Sequence, residues 1–348
     1  MTRLVWTVAA VLIGALLTGC ASPAVPEVRD QTAGGVNTPL PATLADANSA
    51  STSSDALPSY EPVANLSGEI ISIGGSTTTN VVARVAVLFR QVYPNVTLRI
   101  SSSQTNIGPE ALLKGLADIV PMSRTLTPEE IRAFQDEYGY APTEIKVAAD
   151  ALAIFVEKTN PVPGLTLEQL DGIFSRTQRR GGPSIETWGQ AGLTDEWTDL
   201  PITLYGFHPG DGAYRVFQQQ VLKGGAFRLT LRVEAGGSSI VQGAAAVPGA
   251  VGCASIFFAC QRVRAVPIAG ADGRFYSPTE ENVHGHRYPL SRFLYVCVNK
   301  PPRQPLPGPA AEFLRFLLSR EGQRIVAEGG NIPLDTATVK ECIRRLAD

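Results

Sequence analysis

Residues 66–74 (LSGEIISIG) are a short β-branched run that stops in a Gly, Ser and Thr cluster, residues 74–80 (GGSTTTN). Helical spacing follows in residues 81–92 (VVARVAVLFRQV), and residues 97–101 return to strand character. Strand, polar turn, helix and strand make the βαβ unit of a parallel sheet, which commits the chain to an open α/β architecture. The same turn is chemically suggestive. Its glycines allow a sharp bend, Ser76 to Thr79 supply hydroxyl donors, and a helix N-terminus presents unpaired amides with a partial positive charge. In outline this is a small anion pocket, although Ser or Thr at such a position also serves as a plain helix cap. No Lys follows the glycines, so it is not a nucleotide-binding phosphate loop.

The rhythm continues along the chain. Residues 109–115 read as a short helix, 118–122 as a strand, and 127–138 as a helix with Thr127, Pro128 and Glu130 at capping positions. Residues 147–157 (VAADALAIFVE) form a strand long enough to cross between lobes. Helices are predicted at 165–174, 216–222 and 310–328, and strands at 202–207, 249–258 and 292–298. The chain has 348 residues, more than one core usually organises, and its hydrophobic content of 44% supplies a sizeable interior. The expected fold is α/β, two-lobed, with discontinuous lobes.

The amino end reads as an address. Residues 1–19 carry one cation, Arg3, then an apolar stretch too short for a transmembrane helix, then small residues, which is the form of a secretory signal. Leu17, Thr18, Gly19 and Cys20 resemble the bacterial lipobox, which implies lipidation at Cys20 and a tether to the membrane. Ala21 after the cysteine favours the outer membrane in a cell that has one. Residues 20–65 are rich in Pro, Ala, Ser and Thr, with Tyr60 the one aromatic, and read as a disordered leash. Lysine plus arginine number 30 against 32 for aspartate plus glutamate. A formal charge of -2 offers no field for nucleic acid, so any anion must be caught locally.

Other side chains narrow the chemistry. Asp118, Ser123 and Arg124 (ADIVPMSR) fall at the end of a predicted parallel strand, the edge where open α/β sheets bind ligands. Arg124 offers a charge-assisted fork, and Asp118 accepts from a ligand that keeps a proton; a structural Asp–Arg pair is the other reading. His284 and His286 have no third metal ligand at a recognisable spacing and read as a polar loop. No nucleophile elbow and no cofactor motif is present, so a binding protein is expected rather than an enzyme. Cys253 with Cys260 is one local disulfide, and free buried thiols on strands are the alternative for Cys253, Cys260, Cys297 and Cys342. Trp188 and Trp197 read as surface anchors of the second lobe.

The segments GGSTTTN, EALLKGLADIVPMSR, VAADALAIFVEKTNPVPGLTLEQLDGIFS, YPLSRFLYVCVNK and FLRFLLSREGQRIVAEGG occur in this order across roughly residues 66–335. Together they resemble the phosphate-binding lipoproteins and periplasmic proteins of bacterial ABC importers. The resemblance implies a type II periplasmic-binding-protein clamshell, with residues 66–153 and 254–348 in one lobe and 154–253 in the other. It implies inorganic phosphate or a similar small anion as ligand, and an ABC permease in the inner membrane as partner. It assigns ligand contacts to Ser76, Thr77 and Thr78, places Asp118 as acceptor of the phosphate proton, and makes Ser123 a neighbour. In the second lobe the family has an Arg and then a Ser-Gly-Thr turn. Here Phe207 stands for the Arg, Asp211 for the Ser and Ala213 for the Thr, around Gly212. Two unit charges 4 Å apart repel by about 4 kcal/mol at an effective dielectric near 20, so Asp211 opposes a fully ionised phosphate. Hence a second expectation: a clamshell relative with a changed or lost ligand, acting as sensor, adhesin or envelope partner.

Overall fold

The computed structural model describes residues 56–103, 107–306 and 308–347. The signal, Cys20 and most of the leash lie outside the described residues. The first lobe opens with β1 (Gly68–Gly75), α1 (Ser76–Val92) and β2 (Val96–Ser103), the two strands pairing in parallel. Next come α2 (Ile107–Leu113), β3 (Val120–Met122) and α3 (Pro128–Tyr138), with β3 bridged to β1 in parallel through Ile119 and Ser72. Thr127 and Glu130 form the expected capping box of α3. Helix α1 begins five residues before its apolar periodicity does. The Gly/Ser/Thr cluster is divided: Gly74 and Gly75 end β1, and Ser76 opens the helix. A Cβ on Gly74 would sit 2.2 Å from the Pro121 carbonyl oxygen, so glycine is what lets β1 close on β3.

β4 (Thr143–Glu157) carries the chain into the second lobe. Its 15 residues span about 50 Å at roughly 3.3 Å per residue. Val147 to Val156 are buried without alternation, the pattern of a strand covered on both faces. The second lobe adds α4 (Leu167–Phe174), β5 (Thr203–Phe207), α5 (Gly212–Gln220), β6 (Arg232–Glu234), α6 (Gly237–Ala246) and β7 (Ala250–Ser255). Then follow β8 (Val263–Ala265), β9 (Ile268–Ala269), β10 (Phe275–Tyr276) and α7 (Glu280–His284). The chain returns along β11 (Ser291–Val298) and finishes with α8 (Gly308–Leu318), α9 (Arg320–Glu328) and α10 (Thr336–Ala347). The single helix expected over 310–328 is two, because Ser319 leaves the helical path and its hydroxyl accepts the Gly322 N–H at 3.3 Å.

One sheet runs through both lobes in the order β3-β11-β4-β7-β5-β6, with β8 beside the far half of β4. The near half of β4 pairs with β11, and Leu152 to Val156 pair with β7. Strands β5 and β6, and β5 and β7, are parallel. Two large cores flank this strand. One packs Val82, Phe89, Leu294, Phe313 and Phe316 in the first lobe, and the other packs Phe174, Trp188, Phe217, Ile240 and Val251 in the second. The second core continues through Tyr288 and Leu290, just before β11.

Two expectations change, and the open question of the cysteines is decided for three of them. Trp188 is fully buried and its Nε1 donates to the Gly249 carbonyl at 2.9 Å, so it is a core residue rather than a surface anchor. Cys253, Cys297 and Cys342 are free and buried, so Cys253 does not pair with Cys260. The carboxyl end of the expected leash is strapped down: Leu57 and Tyr60 are buried, Tyr60 shares a hydrogen bond with Tyr93 at 2.6 Å, and its hydroxyl donates to Glu312 at 3.0 Å. Two docking side chains inside a polar stretch make no period, which hides them from pattern reading.

Where β4 passes between lobes, the buried Asp150 accepts from Ser255 Oγ at 2.6 Å and from Arg292 Nε at 2.8 Å. Arg292 Nη1 reaches on to the Ser123 carbonyl at 3.4 Å. Asp150→Ala therefore strands a buried guanidinium. The expected loss is about 3–5 kcal/mol, read as a lower urea midpoint at unchanged m-value.

Candidate ligand-binding cleft

Where the parallel strands end, a cavity of about 440 Å³ lies between the lobes. Ser76 and Ser102 line it from the first lobe, and His208, Asp211, Val233, Glu234 and Ala235 from the second. Ser76 directly follows β1, Ser102 is near the end of β2, His208 follows β5, and Glu234 is the last residue of β6. This is the carboxyl edge at which open α/β sheets receive ligands.

Two helices start at the cleft. α1 has Gly75 at its N-cap, no side-chain cap and no acidic residue in its first turn, so its leading amides and its positive dipole end stay available to an anion. α5 has Asp211 at its N-cap, yet the carboxylate makes no capping hydrogen bond. It lines the cavity instead. Burial pushes the Asp211 carboxyl above the usual carboxylate range, and nearby His208 only partly opposes this. His208 Nδ1 accepts the Gly210 N–H at 3.1 Å, which holds the ring within the turn.

The residues expected at the site divide. Ser76 and Asp211 line the cavity. Thr77 and Thr78 are buried in the first turn of α1. Thr78 Oγ1 donates to the Met122 carbonyl at 2.9 Å, so this hydroxyl pins α1 to β3 rather than facing a ligand. Gly212 and Ser123 meet across the two lobes: a Cβ on Gly212 would lie 2.5 Å from Ser123 Oγ and 3.2 Å from Arg124 Cγ.

Two candidates are corrected. Arg124 does not offer its fork to a ligand, because both ends bind Glu130, Nη1 to Oε2 at 2.8 Å and Nη2 to Oε1 at 2.7 Å. Nη1 also donates to the Thr125 carbonyl at 2.8 Å, and Arg124 is 8% exposed. It braces the turn from β3 into α3. Asp118 lies at the opposite end of β3 from the cleft, where its carboxylate accepts the Ile71 N–H at 2.7 Å. Ile71 and Gly75, the last residue of β1, are four positions apart, about 13 Å at roughly 3.3 Å per residue. Asp118 precedes a strand of only three residues, so it sits where β3 begins rather than where it ends. Sequence reading also missed Ser102 and Glu234. A run of three serines closing β2 was a legible signal for the first, whereas Glu234 ends a three-residue strand with no pattern of its own.

Phe207 and Ala213 are both buried in the second core. With neither an Arg nor a Thr there, His208, Asp211 and Glu234 are the polar side chains this lobe gives to the cavity.

A family model for the PBP superfamily domain matches residues 46–321. The phosphate-binding protein PstS of Pseudomonas aeruginosa is 39% identical over 293 residues, which are 84% of this chain and 91% of that relative. This chain belongs to the PstS family of the PBP superfamily. Among solved structures it is similar to a substrate-binding protein assigned to a phosphate ABC transporter of Clostridium perfringens, solved with bound phosphate. The TM-score is 0.64 at 26% identity, covering 77% of this chain and all of that one (100%). It is also similar to an ABC-type phosphate transport receptor from Vibrio cholerae, with a TM-score of 0.59 at 26% identity, covering 76% of this chain and 100% of that one. The two-lobed clamshell and the family resemblance expected from the sequence are both borne out.

The contact between Gly212 and Ser123 yields a direct test. Gly212→Ala puts a methyl group where the lobes touch, so it is expected to weaken ligand binding by about tenfold or more, the equivalent of ~1.4 kcal/mol. The melting temperature of the free protein should barely change, as calorimetric titration and thermal unfolding together would report.

Proposed function

We propose that this chain is a lipid-anchored extracytoplasmic solute-binding protein that closes on phosphate or a related small oxyanion and delivers it to an ABC permease. The observation that carries this reading is the uncapped start of α1, bare of acidic residues, facing the second lobe across the cavity. The 39% identical relative is a phosphate-binding protein, which supports the same ligand class.

The mechanism follows from the parts. The oxyanion seats first on the leading amides of α1 and on Ser76 and Ser102, where hydrogen bonds from neutral donors hold it without a counter-charge. The lobes then turn about the point where β4, β7 and β11 meet, and the start of α5 approaches Ser123. Closure removes water, which strengthens each hydrogen bond to the ligand. Asp211 and Glu234 accept from any ligand O–H or N–H and repel a bare oxyanion. The changed-ligand alternative draws on the same two carboxylates, together with Phe207 and Ala213.

Calorimetric titration with inorganic phosphate is expected to saturate, and sulfate, which carries no proton at neutral pH, is expected to bind more weakly. Absence of any binding at millimolar phosphate overturns the oxyanion reading. The anchor is tested separately: Cys20→Ser is expected to move the protein from the membrane fraction to the soluble extracytoplasmic fraction, and unchanged fractionation overturns it.

A further inference from the structure

We infer that the solute selected by this cleft is a zwitterion, a phosphoryl or phosphonyl oxyanion carrying an ammonium group on a short linker. This rests on the oxyanion reading above and names the other end of the ligand. The two walls of the cavity are chemically opposite. The first lobe contributes hydroxyls and the positive end of α1, and the second contributes two carboxylates, Asp211 and Glu234, beside the single imidazole of His208. No Lys or Arg lines the cavity among the described residues, and the nearby Arg124 is committed to Glu130.

The Asp211 carboxylate interacts with His208 inside its own turn, and no wider contact engages it among the described residues. Asp211 occupies an N-cap position but makes no capping bond, and neither Asp211 nor Glu234 has an ion-pair partner among the described residues. The fold nonetheless holds them together. Phe207 and Glu234 are paired in register between β5 and β6, and the turn that follows β5 doubles back, with Asp211 N–H donating to the His208 carbonyl at 2.9 Å. Both carboxylates thus border one space at the strand ends. Ionised carboxylates only accept, and an ammonium has three N–H donors and the opposite charge. A dianion alone would satisfy the first lobe and be repelled by the second.

Size agrees with charge. The cavity measures about 440 Å³. A five-atom phosphate displaces only a few waters of about 30 Å³ each, which leaves room for a linker and an amine.

The test compares ethyl phosphate with 2-aminoethyl phosphate, which differ by the amine alone, and inorganic phosphate as the reference anion. On the unaltered protein, 2-aminoethyl phosphate is expected to bind roughly thirtyfold more tightly than ethyl phosphate, as a close charge pair across an interface can provide. In the Asp211→Asn, Glu234→Gln variant this preference should fall below about threefold, while inorganic phosphate binds more tightly because the repulsion is gone. The ligand series on the unaltered protein stands without any variant. Equal or tighter binding of ethyl phosphate overturns the zwitterion inference and leaves the oxyanion reading intact. Failure of all three probes overturns both.

Discussion

Asp150 is buried where β4 passes from lobe to lobe, and its two carboxylate oxygens bind two different strands. Ser255 closes β7, Arg292 lies near the start of β11, and Asp150 sits in β4 between them. A charge taken out of water needs such partners, because an uncompensated carboxylate in the interior is strongly unfavourable. The arrangement fixes how the three crossing strands stand relative to one another. Arg292 also reaches the carbonyl of Ser123, the residue that touches the second lobe at Gly212. The hinge and the mouth of the cleft are therefore joined through a single guanidinium.

Among the described residues no Lys or Arg lines the cleft. The Arg124 fork is held by Glu130, which at the same time completes the capping box of α3. What faces the cavity from the first lobe is a helix start. Amides of this kind are fixed by the helix itself, so they lose little entropy when a ligand arrives, and the macrodipole adds to them. The packing behind them is equally specific: Thr78 ties the first turn of α1 to β3, and the absence of a side chain on Gly74 lets β1 lie against Pro121.

The second lobe gives the cleft its individual character. Phe207 and Ala213 enlarge the hydrophobic core, while Asp211 turns from its helix toward the cavity. On this wall the polar side chains are two carboxylates and the imidazole of His208. A family scaffold can change its ligand in this way without changing its fold, because strand ends and helix starts place side chains whose identity the core does not dictate.

The alternation of strands and helices, the long crossing strand, the capping box at Thr127 and the anion-friendly start of α1 were all legible in the amino-acid sequence. Each depends on a local rule: period, turn chemistry or a cap. What the sequence could not settle were matters of distance across the fold. It placed Asp118 at the cleft, and only the sheet revealed that β3 is three residues long and that Asp118 begins it. It left Arg124 open to a ligand, and only the packing of α3 committed it to Glu130. It read residues near 60 as a free leash, although Tyr60 reaches Glu312, 252 positions away in the chain. Glu234 carried no signal until β6 paired with β5 and brought it beside the turn of Asp211. Local chemistry is written in neighbouring residues; which wall of a cleft a carboxylate faces depends on strands that meet only after the chain has folded.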